Sequence, residues 1–121
     1  MTKSKINLKS KLESIKDYWS PKVIAELNNY QFKLAKIKDE FIWHEHNDTD
    51  EAFIVITGNI EIELEDRTIE LSEGEMFVVP KGAKHKPIAR GEAHIMLIEP
   101  RGVKNTGDIN NELTAKNDIW I

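Results

Sequence analysis

The segment WHEHNDTDE, Trp43 to Glu51, places His44 and His46 one residue apart, with Asp50 and Glu51 four and five positions beyond the second histidine. In an extended strand, residues i and i+2 project from one face with Cα atoms about 6.5–7 Å apart. The two imidazoles can therefore converge on a common point. Neutral imidazole nitrogens and carboxylate oxygens both bind a transition metal at about 2.0–2.2 Å. Glu51 opens the next run, with Phe53 and Val55 on its own side, so its carboxylate can approach the same interior from a neighbouring strand. His85 follows the turn PKGAKH and can supply the opposite wall. Three nitrogens and one oxygen suit one divalent transition metal ion, Fe, Mn, Zn, Ni or Cu, and an octahedral site would keep two positions open.

Competing readings of the same stretch are weaker. NDTDE superficially resembles a calcium loop but lacks the central Gly and the correctly spaced terminal Glu. Asp50 is expected to be a turn residue facing solvent, and His94 a structural or surface histidine. Lys81, Lys84 and Lys86 can draw an anionic ligand toward the site, although solvated turn charges are the commoner explanation for such lysines.

The elements that must position these residues are mostly strands. Leu8, Leu12 and Ile15 recur at helical spacing, with Asn7 as N-cap, which predicts one short helix over about 7–17, ended by Ser20-Pro21. Beyond it the hydrophobic period drops to two. KVIAEL leads through the turn Asn28-Asn29 to YQFKLAKI, where Phe32, Leu34, Ala35 and Ile37 interleave with lysines. In Ile60 to Glu65, Ile60, Ile62 and Leu64 alternate with three glutamates, so one face is buried and one is wet. Further strands are expected at 51–57, 67–71, 75–79, 84–89 and 93–99, separated by Gly, Asp or Pro turns. Many short strands with a single helix call for an all-β closed barrel or double-sheet jelly roll. Residues 101–121 lack periodicity and read as an extended tail, whose apolar end, Ile119 to Ile121, is expected to pack on the barrel or on a partner subunit.

Composition narrows the function. At 121 residues the chain is sized for a single domain. Its 21 acidic and 17 basic residues leave a charge of −4, without the basic face that nucleic acid requires. There is no cysteine, hence no disulfide, thiolate ligand or cysteine nucleophile. No apolar run approaches the roughly 18 residues of a membrane span, and the lysine-rich start lacks the apolar core of a secretory signal. A cytoplasmic location, a small-molecule ligand and no membrane partner are therefore expected. Tyr18, Trp19 and Val23, apolar and ahead of the barrel, are a candidate homodimer contact.

Two segments carry a family resemblance. HEHNDTDEAFIVITG fits His-x-His, four residues, Glu, six residues, Gly at His44, His46, Glu51 and Gly58; GEMFVVPKGAKH fits Gly, five residues, Pro-x-Gly, two residues, His at Gly74, Pro80, Gly82 and His85. These spacings resemble the two motifs of the cupin superfamily, with fifteen residues between Gly58 and Gly74. The resemblance implies a double-stranded β-helix or jelly-roll barrel over about 22–100, in a single cupin domain, with His44, His46, Glu51 and His85 as metal ligands. Two positions depart from the pattern: the leading Gly is Lys38, and the Asn that often closes the second motif is Ala89. Small cupins similar to this chain are often labelled mannose-6-phosphate isomerase-like. The implied functions are a metal-dependent enzyme of isomerase or dioxygenase type acting on a small polar metabolite, or a non-catalytic metal-containing module that binds a small molecule or sugar.

Overall fold

A computed structural model describes residues 4–121. Helix α1 (Leu8–Glu13) precedes β1 (Lys22–Leu27), β2 (Tyr30–Glu40), β3 (Glu51–Thr57), β4 (Ile60–Leu64), β5 (Thr68–Leu71), β6 (Met76–Val79) and β7 (His85–Pro100). All strand pairs are antiparallel; the main path runs β1-β2-β7-β3-β6, while β4 pairs with β5 and with the first part of β7. The result is an all-β jelly roll whose interior is filled by Ala35, Ile37, Phe53, Val55, Ile60, Ile62 and their neighbours.

The helix is shorter than its periodicity predicts. Asn7 caps it by accepting from the Ser10 N–H at 2.9 Å, but Ser14 Oγ donates to the Lys11 carbonyl at 2.7 Å and the chain tightens into i→i+3 bonds at Ser14 and Ile15. Leu12 and Ile15 still bury against Ile24 and Leu34.

The two strands expected at 84–89 and 93–99 are one long strand. Both halves of β7 pair with β2, with Ile37 opposite Ala93 and Asp39 opposite Ala89, so the Gly91 region bends the strand without ending it. The extra residues, Arg90 to Glu92, bulge from β7 opposite Lys38, and Asp39 of β2 adopts a φ of 64° that suits a short polar side chain. The left-handed position of this stretch falls on Asp39 and not on Lys38.

The lysines of β2 do not share one environment. Gln31, Lys33, Ala35 and Ile37 alternate into the barrel, whereas Phe32 and Leu34 turn outward to meet the layer that contains α1. Lys33 is only 2% exposed.

The tail is ordered against its own barrel. The Val23 N–H donates to the Ile119 carbonyl at 2.7 Å and the Ile121 N–H to the Val23 carbonyl at 3.1 Å, adding a short bridge to the edge of β1. Ile121 joins the cluster around Leu12 and Ile24, while Trp120 keeps 47% of its surface exposed. Val23 is consequently fully buried within the chain and Trp19 stacks on Phe41. Of the three residues expected at a homodimer contact, only Tyr18 keeps a large exposed surface. No helix among the described residues is long and apolar enough to cross a membrane.

Between β7 and that edge the tail forms a strap over residues 103–109. Gly107, at φ 64°, lies so close to the Glu45 carbonyl that a Cβ would overlap it. Gly107→Ala should lower unfolding stability by about 1–3 kcal/mol, measured by denaturant titration; an unchanged midpoint would show that the strap is not held against Glu45.

Candidate metal centre

The two histidine-bearing segments are stapled backbone to backbone. His44 and His85 form an isolated antiparallel bridge, exchanging both N–H···O=C bonds at 3.0 and 2.9 Å. The turn that delivers His85 is pinned from beneath: the Gly82 N–H donates to the His46 carbonyl at 2.8 Å, and the Lys81 N–H donates to Asp50 Oδ1 at 2.8 Å. Asp50 is thus a solvent-facing turn residue, as expected, with a positioning duty. Gly82 adopts φ 78°, which favours glycine at this corner.

His44, His46, Glu51 and His85 are all buried and each offers a donor atom within 4.8 Å of every other. His44 Nδ1 lies 2.9 Å from the Ile42 carbonyl and His85 Nδ1 lies 2.9 Å from the Ala83 carbonyl. A carbonyl only accepts, so both Nδ1 atoms carry the proton and both Nε2 lone pairs are free. His46 Nε2 and His85 Nε2 approach Glu51 Oε1 at 3.3 and 3.4 Å. None of these three atoms has a hydrogen-bond partner. Two ligands about 2.1 Å from one metal are separated by about 3.0–3.4 Å for octahedral to tetrahedral angles. The donor set therefore fits a transition metal ion.

The sequence comparisons agree with this geometry. The profile of the cupin domain matches residues 32–101, a span containing all four donor residues. The chain belongs to the cupin family. YdbB of Bacillus subtilis, itself uncharacterized, is 33% identical over 81 residues, covering 66% of this chain and 72% of its own. Among solved structures, a cupin-2 domain containing protein from Shewanella frigidimarina is 55% identical, with a TM-score of 0.78 over 79% of this chain and 94% of that one. A Neisseria meningitidis protein is 35% identical, with a TM-score of 0.74 over 80% and 99% of the two chains.

In this cupin the walls of the site are dry. Beside His44 and Glu51 lies a cavity of about 30 Å³ lined otherwise by Trp19, Ala35, Phe41, Phe53, Ile95, Leu97 and their neighbours. Phe41 meets His44 edge-on at 5.4 Å and is itself covered by Trp19 at 4.6 Å. Trp19 sits at φ 58°, held by Nε1 donating to the Lys38 carbonyl at 2.9 Å and by Asn105 Nδ2 donating to the Trp19 carbonyl at 2.9 Å. Phe53, Val55 and Val79 are buried and Phe77 is half-buried.

Burial, and then the proximity of His85, lowers the His44 pKa from its ordinary 6.5 to about 4, so His44 is neutral near pH 7. Burial opposes ionisation of Glu51 most strongly, yet Glu99, His46 and His85 together hold its carboxyl well below the usual range. Glu99 is pushed well above that range by burial and by the Glu51 charge, against the pull of Lys33.

Sequence reasoning did not single out Glu99, Lys33 or Asn105, and it reads Trp19 as a dimer contact rather than as part of the cavity wall. Strand parity could have found Glu99, which follows Ile95 and Leu97 on an interior-facing register, but not Lys33, because β2 is apolar on both faces. Asn105 lies on an aperiodic strap and left no such signal. His94 stays outside the site, paired with Glu92 at 2.6 Å. Lys86 is engaged by Glu40 at 2.7 Å, leaving exposed Lys81 and Lys84 as the second motif's solvated charges.

Because unfolded His44 takes up a proton near pH 6.5 and folded His44 only near pH 4, its contribution to stability is complete above pH 6.5 and is lost as pH falls toward 4. Melting temperatures of the metal-free protein should decline through this window, and His44→Gln should flatten that part of the profile. Identical profiles for the two proteins would contradict the buried neutral imidazole.

Proposed function

We propose that this cupin is a metal-dependent enzyme for a small polar metabolite, with His44, His46, Glu51 and His85 holding one divalent first-row transition metal ion. The observation that carries this reading is the set of buried, partnerless donor atoms at His46, Glu51 and His85. Such atoms cost about 1–3 kcal/mol each when left unsatisfied. A bound ion supplies Lewis-acid polarisation of a substrate oxygen, or dioxygen chemistry if it is iron.

The chain's own residues set the rest. The Ile42 and Ala83 carbonyls fix the tautomers of His44 and His85. Phe41, Phe53, Ile95 and Leu97 exclude bulk water from the cavity. Its volume of about 30 Å³ corresponds to about two waters, so it admits the metal-facing end of a metabolite. No Lys or Arg lines it, which weighs against a sugar phosphate and favours neutral sugars and aromatic diols, or keto acids whose carboxylate would meet the metal itself. This weighs against an activity like that of mannose-6-phosphate isomerase.

A second reading, a non-catalytic binding module, draws support from the same lining. Apart from His44 and Glu51, the cavity wall carries no ionisable side chain to serve as a general acid or base. Protein loaded with Fe(II), Mn(II) or Zn(II) should be stabilised by members of these three metabolite classes in thermal-shift screening. Product analysis by NMR should then find turnover that His85→Ala reduces at least a hundredfold. Stabilisation without turnover would favour the binding module, and neither effect with any metal would contradict both readings.

A further inference from the structure

The outward side of the sheet is apolar across four strands. Phe32 and Leu34 of β2 face away from the interior, and the β2–β7 register sets them opposite Ile98 and Met96. On the far side of β7, Ala52 and Ile54 of β3 continue the two rows, and Val78 and Met76 of β6 end them. No charged side chain interrupts either row, in a chain that is 31% charged. Helix α1 covers only one corner. Its Leu12 packs with Ile15 on Leu34 and Ile24, whereas Met76 and Val78, at the other end of the rows, keep 53% and 45% of their surface exposed. Monomeric proteins rarely leave a contiguous apolar face of this kind in water.

Charge, shape and size say what fits it. A two-fold contact sets a surface against itself, so like charges at its centre would repel, and a neutral centre suits it. The same face carries both a projection and a recess. Met76, long and adaptable, stands at the β6 edge, and beside α1 runs a groove of about 390 Å³ lined by Leu12 and Ile56, with Lys9, Lys36, His94 and a single acid, Glu13, around it. The exposed acids Glu73 and Glu75 lie just before Met76 in the chain, so seating the projection in a second copy's groove brings acids beside lysines. Strands about 4.8 Å apart and outward rows about 6.8 Å apart give a face of roughly 20 by 24 Å once the β1 end is included. Two copies then bury on the order of 1,000 Å², the size of a specific interface.

We propose that two copies of this chain pair through this outer sheet face about a two-fold axis, each Met76 entering the groove beside α1 of the other. The contact expected at Tyr18, Trp19 and Val23 thereby moves from the N-terminal segment to the sheet. The metal reading is not needed for it, because Ala52 and Ile54 alternate with inward-facing Glu51 and Phe53 and lie on the opposite side of the sheet from the donor cluster.

Sedimentation velocity of the full chain at micromolar concentration tests the pairing. The parent should sediment at twice its 13.9 kDa mass, and Tyr18→Ala should match it. Met76→Glu/Val78→Glu, shown to be folded by far-UV circular dichroism, should be monomeric, with dissociation raised about a hundredfold or more because each change occurs twice in the contact. A monomeric parent overturns the proposal and leaves the face to a different protein; a folded double variant that stays dimeric overturns it as well. Should the double variant not fold, Met76→Gln, which keeps the length of the side chain, must weaken the dimer about tenfold or more, and parental affinity overturns the proposal. Because the chain has no cysteine, the docking itself can be read by mixing Met76→Cys and Lys9→Cys proteins under mild oxidation. A disulfide between the two variants in preference to either with itself supports it, and a dimer that forms no such link overturns it.

Discussion

Inside an apolar barrel, electron-pair donors turned toward one point repel each other unless a cation lies among them. That constraint organises this molecule. The Nδ1 protons of His44 and His85 are committed to backbone carbonyls, so both imidazoles present lone pairs inward and cannot turn to relieve the conflict with Glu51. The same low-dielectric surroundings that make the free donors costly make their attraction to a divalent ion strong.

The strands serve that convergence. The paired hydrogen bonds between His44 and His85 set the distance between the two motif segments, and Asp50 and Gly82 keep the second segment's turn from drifting. β3 brings Glu51 in at its first residue, in step with Phe53 and Val55. β7, long and bent, carries His85 at its first residue. Trp19 and the strap then close the end of the barrel over Phe41 and Glu45.

How much of this was legible in the sequence depends on whether a residue's role is local. His44 and His46 are joined by strand alternation, and Glu51 and His85 by turn spacing, so these four could be named from short segments; the jelly roll followed from the run of short two-period strands. Lys33 was not legible, because β2 is apolar on both faces and its alternation does not say which face is the interior; only the packing of α1 against Phe32 and Leu34 decides it. The unity of β7 was hidden by Gly91, whose turn propensity yields to pairing with β2 on both sides of it. The strap was hidden because its contacts, Gly107 with Glu45 and Asn105 with Trp19, join residues far apart in the chain without any periodic pattern.

Elemental mass spectrometry of tag-free protein purified without chelator, beside a His44→Ala/His46→Ala variant, addresses the convergent donor set most directly. Near-stoichiometric first-row transition metal in the parent and little in the variant is the expected result. A folded parent that stays empty even after exposure to Fe(II), Mn(II), Ni(II), Cu(II) and Zn(II) would mean that the barrel tolerates its facing lone pairs without an ion, and would contradict the metal centre.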